Sequence, residues 1–161
     1  MVPILEEELK KIIPTDGPSI SEVKSYLEKY NDEYIVIKCG GSVLVDQNLF
    51  DHFIYNISIL NKLGFIPIIV HGGGKRISNK LSASGIESKF LNGLRITDKK
   101  TIKIAEEVLI EFNKEIVEAL KIKKCAAEEI NTKKNNIISV IKDDEKLGFV
   151  GSPNKDRKSV V

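Results

Sequence analysis

The chain has 161 residues, 42% of them hydrophobic and 30% charged, which is enough apolar material for one compact core without disulfides or metal. Its 25 Lys and Arg oppose 23 Asp and Glu, and a net charge of +2 gives no electrostatic footprint for nucleic acid or an acidic membrane. Two cysteines, Cys39 and Cys125, cannot build a disulfide framework and suit a reducing compartment; the acidic start, Met1 to Glu8, and the shortness of every apolar run argue against a secretory signal or a bilayer span, so a cytoplasmic protein is expected.

Residues 3 to 30 read as two short helices broken at Pro14 to Pro18, because neither proline nor glycine in that cluster continues a helix. Ser19 with Glu22 forms a capping-box pattern, followed by an apolar stripe of Val23, Tyr26, Leu27 and Tyr30. Tyr34 to Lys38 is a β-branched run read as a buried strand that opens into Gly40-Gly41. A helix is expected from Leu49 through Leu63, with Gly64 as its C-cap. Phe65 to Val70 is a second strand that runs into His71-Gly72-Gly73-Gly74 and a helical segment through Ser84. Strand, helix, strand in this order predicts parallel pairing, with both glycine loops at strand carboxyl ends.

Asn92-Gly93 between short apolar pairs predicts a hairpin over Lys89 to Ile96, with Arg95 on its second arm. Thr97 or Asp98 then caps a long amphipathic helix whose apolar face runs from Ile102 through Val108, Leu109, Phe112 and Ile116 to Leu120, broad enough for core and dimer contacts. Later strands are expected at Ala126 to Ile130, Asn136 to Ile141 and Leu147 to Val150, with a turn at Asp143-Asp144 between the last two. Asn154 to Ser159 is polar and patternless.

The two glycine loops allow backbone amides to approach an anion closely, and a helix opening directly after Gly72-Gly73-Gly74 adds the positive end of its dipole. Lys38 ends the first strand, where an ammonium could neutralise a transferring phosphoryl group; a lysine merely reaching out from a strand end is the competing reading. Arg95 offers a planar fork for a carboxylate, or is an exposed hairpin arginine without function. No GxxxxGK[ST] and no GxGxxG after a strand occurs, and no metal-ligand spacing is present. His52 reads as a surface or core-edge residue, His71 as shaping its loop, and Phe50, Phe53, Phe65 and Phe90 as packing.

Taken in order, Ile37-Lys38-Cys39-Gly40-Gly41-Ser42, then Ile69-Val70-His71-Gly72-Gly73-Gly74, then Asn92-Gly93-Leu94-Arg95-Ile96-Thr97-Asp98 resemble the amino acid kinase family. The third motif, after HGGG, is similar to the N-acetylglutamate kinases within it, and Asn113 to Val117 and Leu147 to Gly151 are similar at later positions. The resemblance implies an α/β fold, a three-layer αβα sandwich with a mainly parallel sheet of the carbamate kinase-like type, of which this chain holds the N-terminal lobe only. It further implies a helical extension at 1–32, an amino-acid-binding lobe at 33–151 and a polar tail at 152–161, with the C-terminal nucleotide-binding lobe absent.

By the same resemblance Lys38 would stabilise the transition state, Gly73, Gly74 and Arg95 would bind substrate, and Gly40, Gly41 and Gly72 would face phosphates. The implied reaction moves the γ-phosphoryl of ATP, with magnesium, to the side-chain carboxylate of N-acetyl-L-glutamate in arginine biosynthesis, and this chain alone is expected to be inactive. A homodimer through helix 98–121 and a hexamer through the N-terminal helix are the implied assemblies. Alternatives are a non-catalytic amino-acid-binding or dimerisation module and a related kinase acting on carrier-bound aminoadipate. Two departures from the family pattern stand out: Lys75-Arg76 in place of a proline, and Ile130 to Asn136 in place of a glycine-containing segment.

Overall fold

A computed structural model describes residues 6–41, 45–131 and 138–154. It divides into two compact units, Met1–His71 with Ala119–Ala126, and Gly72–Glu118 with Ala127–Val161. The fold is mixed α/β, with one parallel strand pair and two short antiparallel pairs.

The first unit opens with α1 (Glu6–Ile12) and α2 (Ile20–Lys29). The capping box forms as the sequence predicts: the Ser19 side chain accepts from the Glu22 amide, and the Glu22 carboxylate accepts from the Ser19 amide. The break between the helices is a turn in which the Gly17 amide donates to the Pro14 carbonyl at 2.9 Å. Lys24 of α2 reaches Glu6 of α1 at 2.8 Å, and with Lys10 it holds the Glu6 carboxyl below its ordinary pKa.

β1 (Tyr34–Cys39) and β2 (Ile66–His71) pair in parallel, from Tyr34 opposite Ile66 to Cys39 opposite His71. Between them α3 (Gln47–Lys62) is capped by the Asp46 side chain, which accepts from the Leu49 amide at 3.1 Å. It ends in a Schellman motif: Gly64 has φ 95°, and the Phe65 and Gly64 amides donate to the Leu60 and Asn61 carbonyls.

The expectation of a fully buried first strand is corrected. Cys39 is buried and Ile35 and Ile37 partly so, but Tyr34 and Val36 on the opposite face are each 67% exposed. Alternate side chains of a strand point to opposite faces, and only one face of this two-stranded sheet is covered. Burial pushes the thiol pKa of Cys39, and of Cys125, above the ordinary value.

In the second unit, α4 (Gly74–Ala83) and the first part of α5 (Lys99–Ile122) share a core of Ile77, Leu81 and Val108, flanked by Ile86, Ile104, Ala105 and Leu109. These apolar positions recur at helical spacing, so one stripe of each helix meets the other. Between the helices, β3 (Phe90–Leu91) and β4 (Leu94–Arg95) form the expected hairpin. Its two-residue turn has φ 50° at Asn92 and 80° at Gly93, the paired left-handed conformation that favours this dipeptide. Asp98, rather than Thr97, caps α5: its carboxylate accepts from the Lys100 and Thr101 amides at 3.0 and 2.7 Å, and the bond from Thr101 leads in lowering its pKa.

The later strands differ from expectation. Residues 126–130 are not a strand, and the Asn113 side chain of α5 donates to the Ile130 carbonyl at 3.1 Å. The next strand, β5, spans Val140–Lys142 and pairs with β6 (Gly151–Pro153). Leu147 to Val150 is a connection between them: Glu145–Leu147 is a 3-10 turn closed by Gly148. Short apolar runs do not distinguish a strand from a turn that buries one residue, here Leu147. Of the expected Asn136–Ile141 strand, residues 136 and 137 lie outside the described residues, as do Ser42, much of the 130–136 segment, and the tail beyond 154.

The carboxyl end of α5, whose last residues belong to the first unit, closes with another Schellman motif, this one built on a non-glycine residue. Lys124 has φ 65°, and the Cys125 and Lys124 amides donate to the Leu120 and Lys121 carbonyls. A side chain in this left-handed region is strained, so Lys124→Gly is expected to stabilise the chain by about 0.5–1 kcal/mol. A higher urea midpoint at unchanged slope is the result to look for, and an unchanged or lower midpoint contradicts it.

Candidate functional site

Parallel pairing brings two loop origins to one level. Cys39 and His71 are register partners, and from them the chain runs into Gly40-Gly41 and Gly72-Gly73. His71 is therefore the last residue of β2 rather than a loop residue. Lys38 sits one step earlier, opposite Val70, on the exposed face of the pair.

The sequence-predicted site residues fall on both units: Lys38, Gly40 and Gly41 on the first, Gly72, Gly73, Gly74 and Arg95 on the second. On the second unit Gly74 and Arg95 are joined directly, the Arg95 Nη2 donating to the Gly74 carbonyl at 3.2 Å.

The glycines serve different ends. Among the described residues, a Cβ on Gly40, Gly41, Gly72 or Gly74 would meet nothing within 4 Å, so these leave room beside the four backbones for an approaching anion. Gly73 is buried, and a Cβ there would come within 2.8 Å of the Leu109 side chain. This residue lets the loop lie against α5. It is also the N-cap of α4 and supplies no side-chain hydrogen bond, so the first amides of that helix keep their capacity to bind an anion.

Arg95 is half-buried and held from four sides. Its Nη1 donates to Ser88 Oγ, its Nη2 to Ser78 Oγ at 2.9 Å as well as to Gly74 O, and its Cζ lies 4.8 Å from the centre of the Phe90 ring. Every acceptor is neutral. Among the described residues no carboxylate pairs with this guanidinium, so its charge stays available beside the amino end of α4.

Arg76, in the first turn of α4, has the opposite arrangement. Its Nη1 lies 2.7 and 2.8 Å from the Glu115 carboxylate oxygens, and its guanidinium carbon is 4.2 Å from the Phe112 ring centre. Its charge therefore braces α4 against α5 and adds little to the loop.

Phe90 is corrected from packing to a platform: it is 56% exposed, with Arg95 over its ring. His52 is exposed on α3. Ser78 and Ser88 were missed in the sequence. The only local signal is that Ser78 lies four residues after Gly74, on the same face of α4. Among the described residues no three His, Cys, Asp or Glu side chains gather as a metal site, and no helix is long and apolar enough to cross a membrane.

Such a chain is a mixed α/β protein with a parallel strand pair whose carboxyl ends open into glycine turns. It belongs to the amino acid kinase family, whose sequence profile matches residues 33–159. It is 63% identical over 153 residues to an acetylglutamate kinase of Pelagibacter ubique, covering 95% of this chain and 53% of that protein. An acetylglutamate kinase of Jannaschia sp. is 38% identical, with 89% of this chain and 50% of that protein covered. The chain thus spans about half the length of the curated relatives it matches.

Among solved structures, N-acetylglutamate synthase of Neisseria gonorrhoeae, complexed with coenzyme A and N-acetyl-glutamate, superposes with a TM-score of 0.64 at 17% identity, over 83% of this chain and 31% of that one. The smu.665 protein of Streptococcus mutans superposes at 0.60 with 26% identity, over 75% and 49%. The first of these likenesses bears on the fold alone.

Proposed function

We propose that this chain is the amino-acid-binding lobe of an acetylglutamate kinase, the lobe itself lying at 33–151, and that it takes N-acetyl-L-glutamate with the α-carboxylate on Arg95. The observation that carries this is the Arg95 guanidinium, fixed by neutral acceptors and left with its charge unpaired next to an uncapped helix start. A carboxylate supplies the missing charge and fits a planar donor.

In the complete enzyme the reaction would be an in-line transfer of the γ-phosphoryl of ATP. A side-chain carboxylate oxygen of N-acetylglutamate attacks phosphorus, the bond to the β-phosphate oxygen breaks, and an acyl phosphate and ADP leave. Positioning and charge neutralisation dominate such a step. Lys38 would neutralise charge on the transferring group. Gly73 and Gly74 would present amides to substrate and phosphoryl oxygens, and Gly40, Gly41 and Gly72 would leave space for the nucleotide phosphates. Magnesium would arrive with ATP. These residues span about half the length of the curated relatives, and on this reading the remaining nucleotide contacts would come from the other half, so a piece limited to these 161 residues is expected not to turn over.

The same reading places the protein in the cytoplasm, consistent with free, buried Cys39 and Cys125. It suggests a homodimer through α5. It also suggests a hexamer contact through the N-terminal extension at 1–32, where Tyr26 and Tyr30 are 58% and 40% exposed and stack at 6.3 Å. Calorimetry on the 161-residue chain tests the core of the proposal. N-acetyl-L-glutamate should bind and ATP should not; ATP binding without amino-acid binding would reverse the assignment.

A further inference from the structure

We propose that Ser78 and Ser88 are positioning residues that hold the Arg95 guanidinium ready for a carboxylate without spending its charge. Arginine carries one of the largest rotamer entropies of any side chain, and an unheld one loses that freedom when it binds. Here the freedom is removed in advance. Ser78 in the second turn of α4, Ser88 in the connection to β3, and the Gly74 carbonyl take donors from both terminal nitrogens, while the Phe90 ring supports the plane from below.

The choice of hydroxyls matters. An Asp or Glu at either position would hold the fork as firmly but would neutralise it, and a ligand carboxylate would then compete with a built-in one. Arg76 shows that alternative in the same unit: paired to Glu115, it has no charge to offer. Serine supplies orientation alone. Three acceptors drawn from a helix turn, a loop and the glycine segment also tie Arg95 to Gly74, so the carboxylate-binding donor and the glycine turn keep a fixed spacing.

The inference rests on the reading of Arg95 as the α-carboxylate ligand, and the experiment separates the two. In Ser78→Ala/Ser88→Ala, calorimetry should show affinity for N-acetyl-L-glutamate falling by about tenfold. Affinity for its α-carboxamide analogue, which has no charge for Arg95 to meet, should be unchanged, and Ser78→Thr, which keeps a hydroxyl, should bind the acid normally. Equal losses for acid and amide would mean a merely structural role and overturn the proposal, as would full affinity for the acid.

A second readout needs no ligand. The Arg95 side-chain Nε–H resonance, assigned by its loss in Arg95→Lys, should be sharp and protected from exchange in the unaltered chain and exchange-broadened in the double variant. If that resonance is insensitive to both serines, the positioning role fails whatever binds. If it responds but N-acetyl-L-glutamate does not bind the unaltered chain, the carboxylate reading fails and the positioning role stands.

Discussion

Gly148→Ala is expected to destabilise the second unit by about 3 kcal/mol or more, a large share of the 5–15 kcal/mol that holds a typical domain together. Gly148 has φ 74° and ψ −119°, a region that residues with a side chain avoid. A Cβ there would stand 2.3 Å from the Thr97 carbonyl oxygen and 3.1 Å from its carbon. Both obstructing atoms are backbone, so no side-chain rotation relieves the overlap.

The backbone cannot retreat without loss either. The Thr97 amide donates to the Leu147 carbonyl at 2.9 Å, and the Phe149 amide donates to the Thr97 carbonyl at 2.7 Å. Thr97 and Leu147 are both buried, so parting the two segments would leave polar groups unsatisfied away from water. The urea midpoint by circular dichroism should fall sharply, with the amide of Phe149 losing protection from hydrogen exchange first. A midpoint within experimental error of the parent would contradict this account. The consequence extends toward the site, because the Thr97 hydroxyl donates to the Arg95 carbonyl at 2.9 Å.

Arg95→Ala is the second large effect, and it bears on binding rather than stability. N-acetyl-L-glutamate affinity should fall by about 100-fold or more, the scale of losing a charge-assisted hydrogen-bonded pair with a carboxylate. The chain should keep its fold, since the groups Arg95 satisfies are two hydroxyls and one exposed-residue carbonyl that water can reach. Arg95→Lys keeps the positive charge but cannot serve Ser78, Ser88 and Gly74 at once, so it should recover only a small part of the loss. Calorimetry at matched protein concentration checks all three forms. Near-normal affinity in Arg95→Ala would remove the carboxylate from this position.

The two positions differ in how far they could be read in advance. Arg95 was visible because it follows Asn92-Gly93 by two residues, and that dipeptide announces a tight hairpin from its own backbone preferences. Gly148 was visible only as part of a familiar run. Its reason for being glycine is the Thr97 carbonyl, which lies far away along the chain.

The same contrast runs through the whole molecule. Sequence by itself determined the features that depend on residues within one turn or one strand of each other. The Ser19–Glu22 capping box, the Gly64 helix end, the Asn92-Gly93 hairpin turn and the apolar stripe of α5 are of this kind. Local hydrogen bonding and hydrophobic period specify them before any long-range contact forms.

Only the tertiary structure decided which groups meet from distant positions. It paired Arg76 with Glu115, 39 positions along the chain, and with the Phe112 ring one helical turn before it, took Phe90 out of the core to lie under Arg95, and set Ser78 and Ser88 on the Arg95 fork. It also moved the last strand pair to Val140–Lys142 and Gly151–Pro153, where buried Leu147 and the Thr97 bridge set the connection between them. Side chains separated by many residues share no periodic signature, so their pairing follows from how helices and turns pack, and packing is a property of the folded chain.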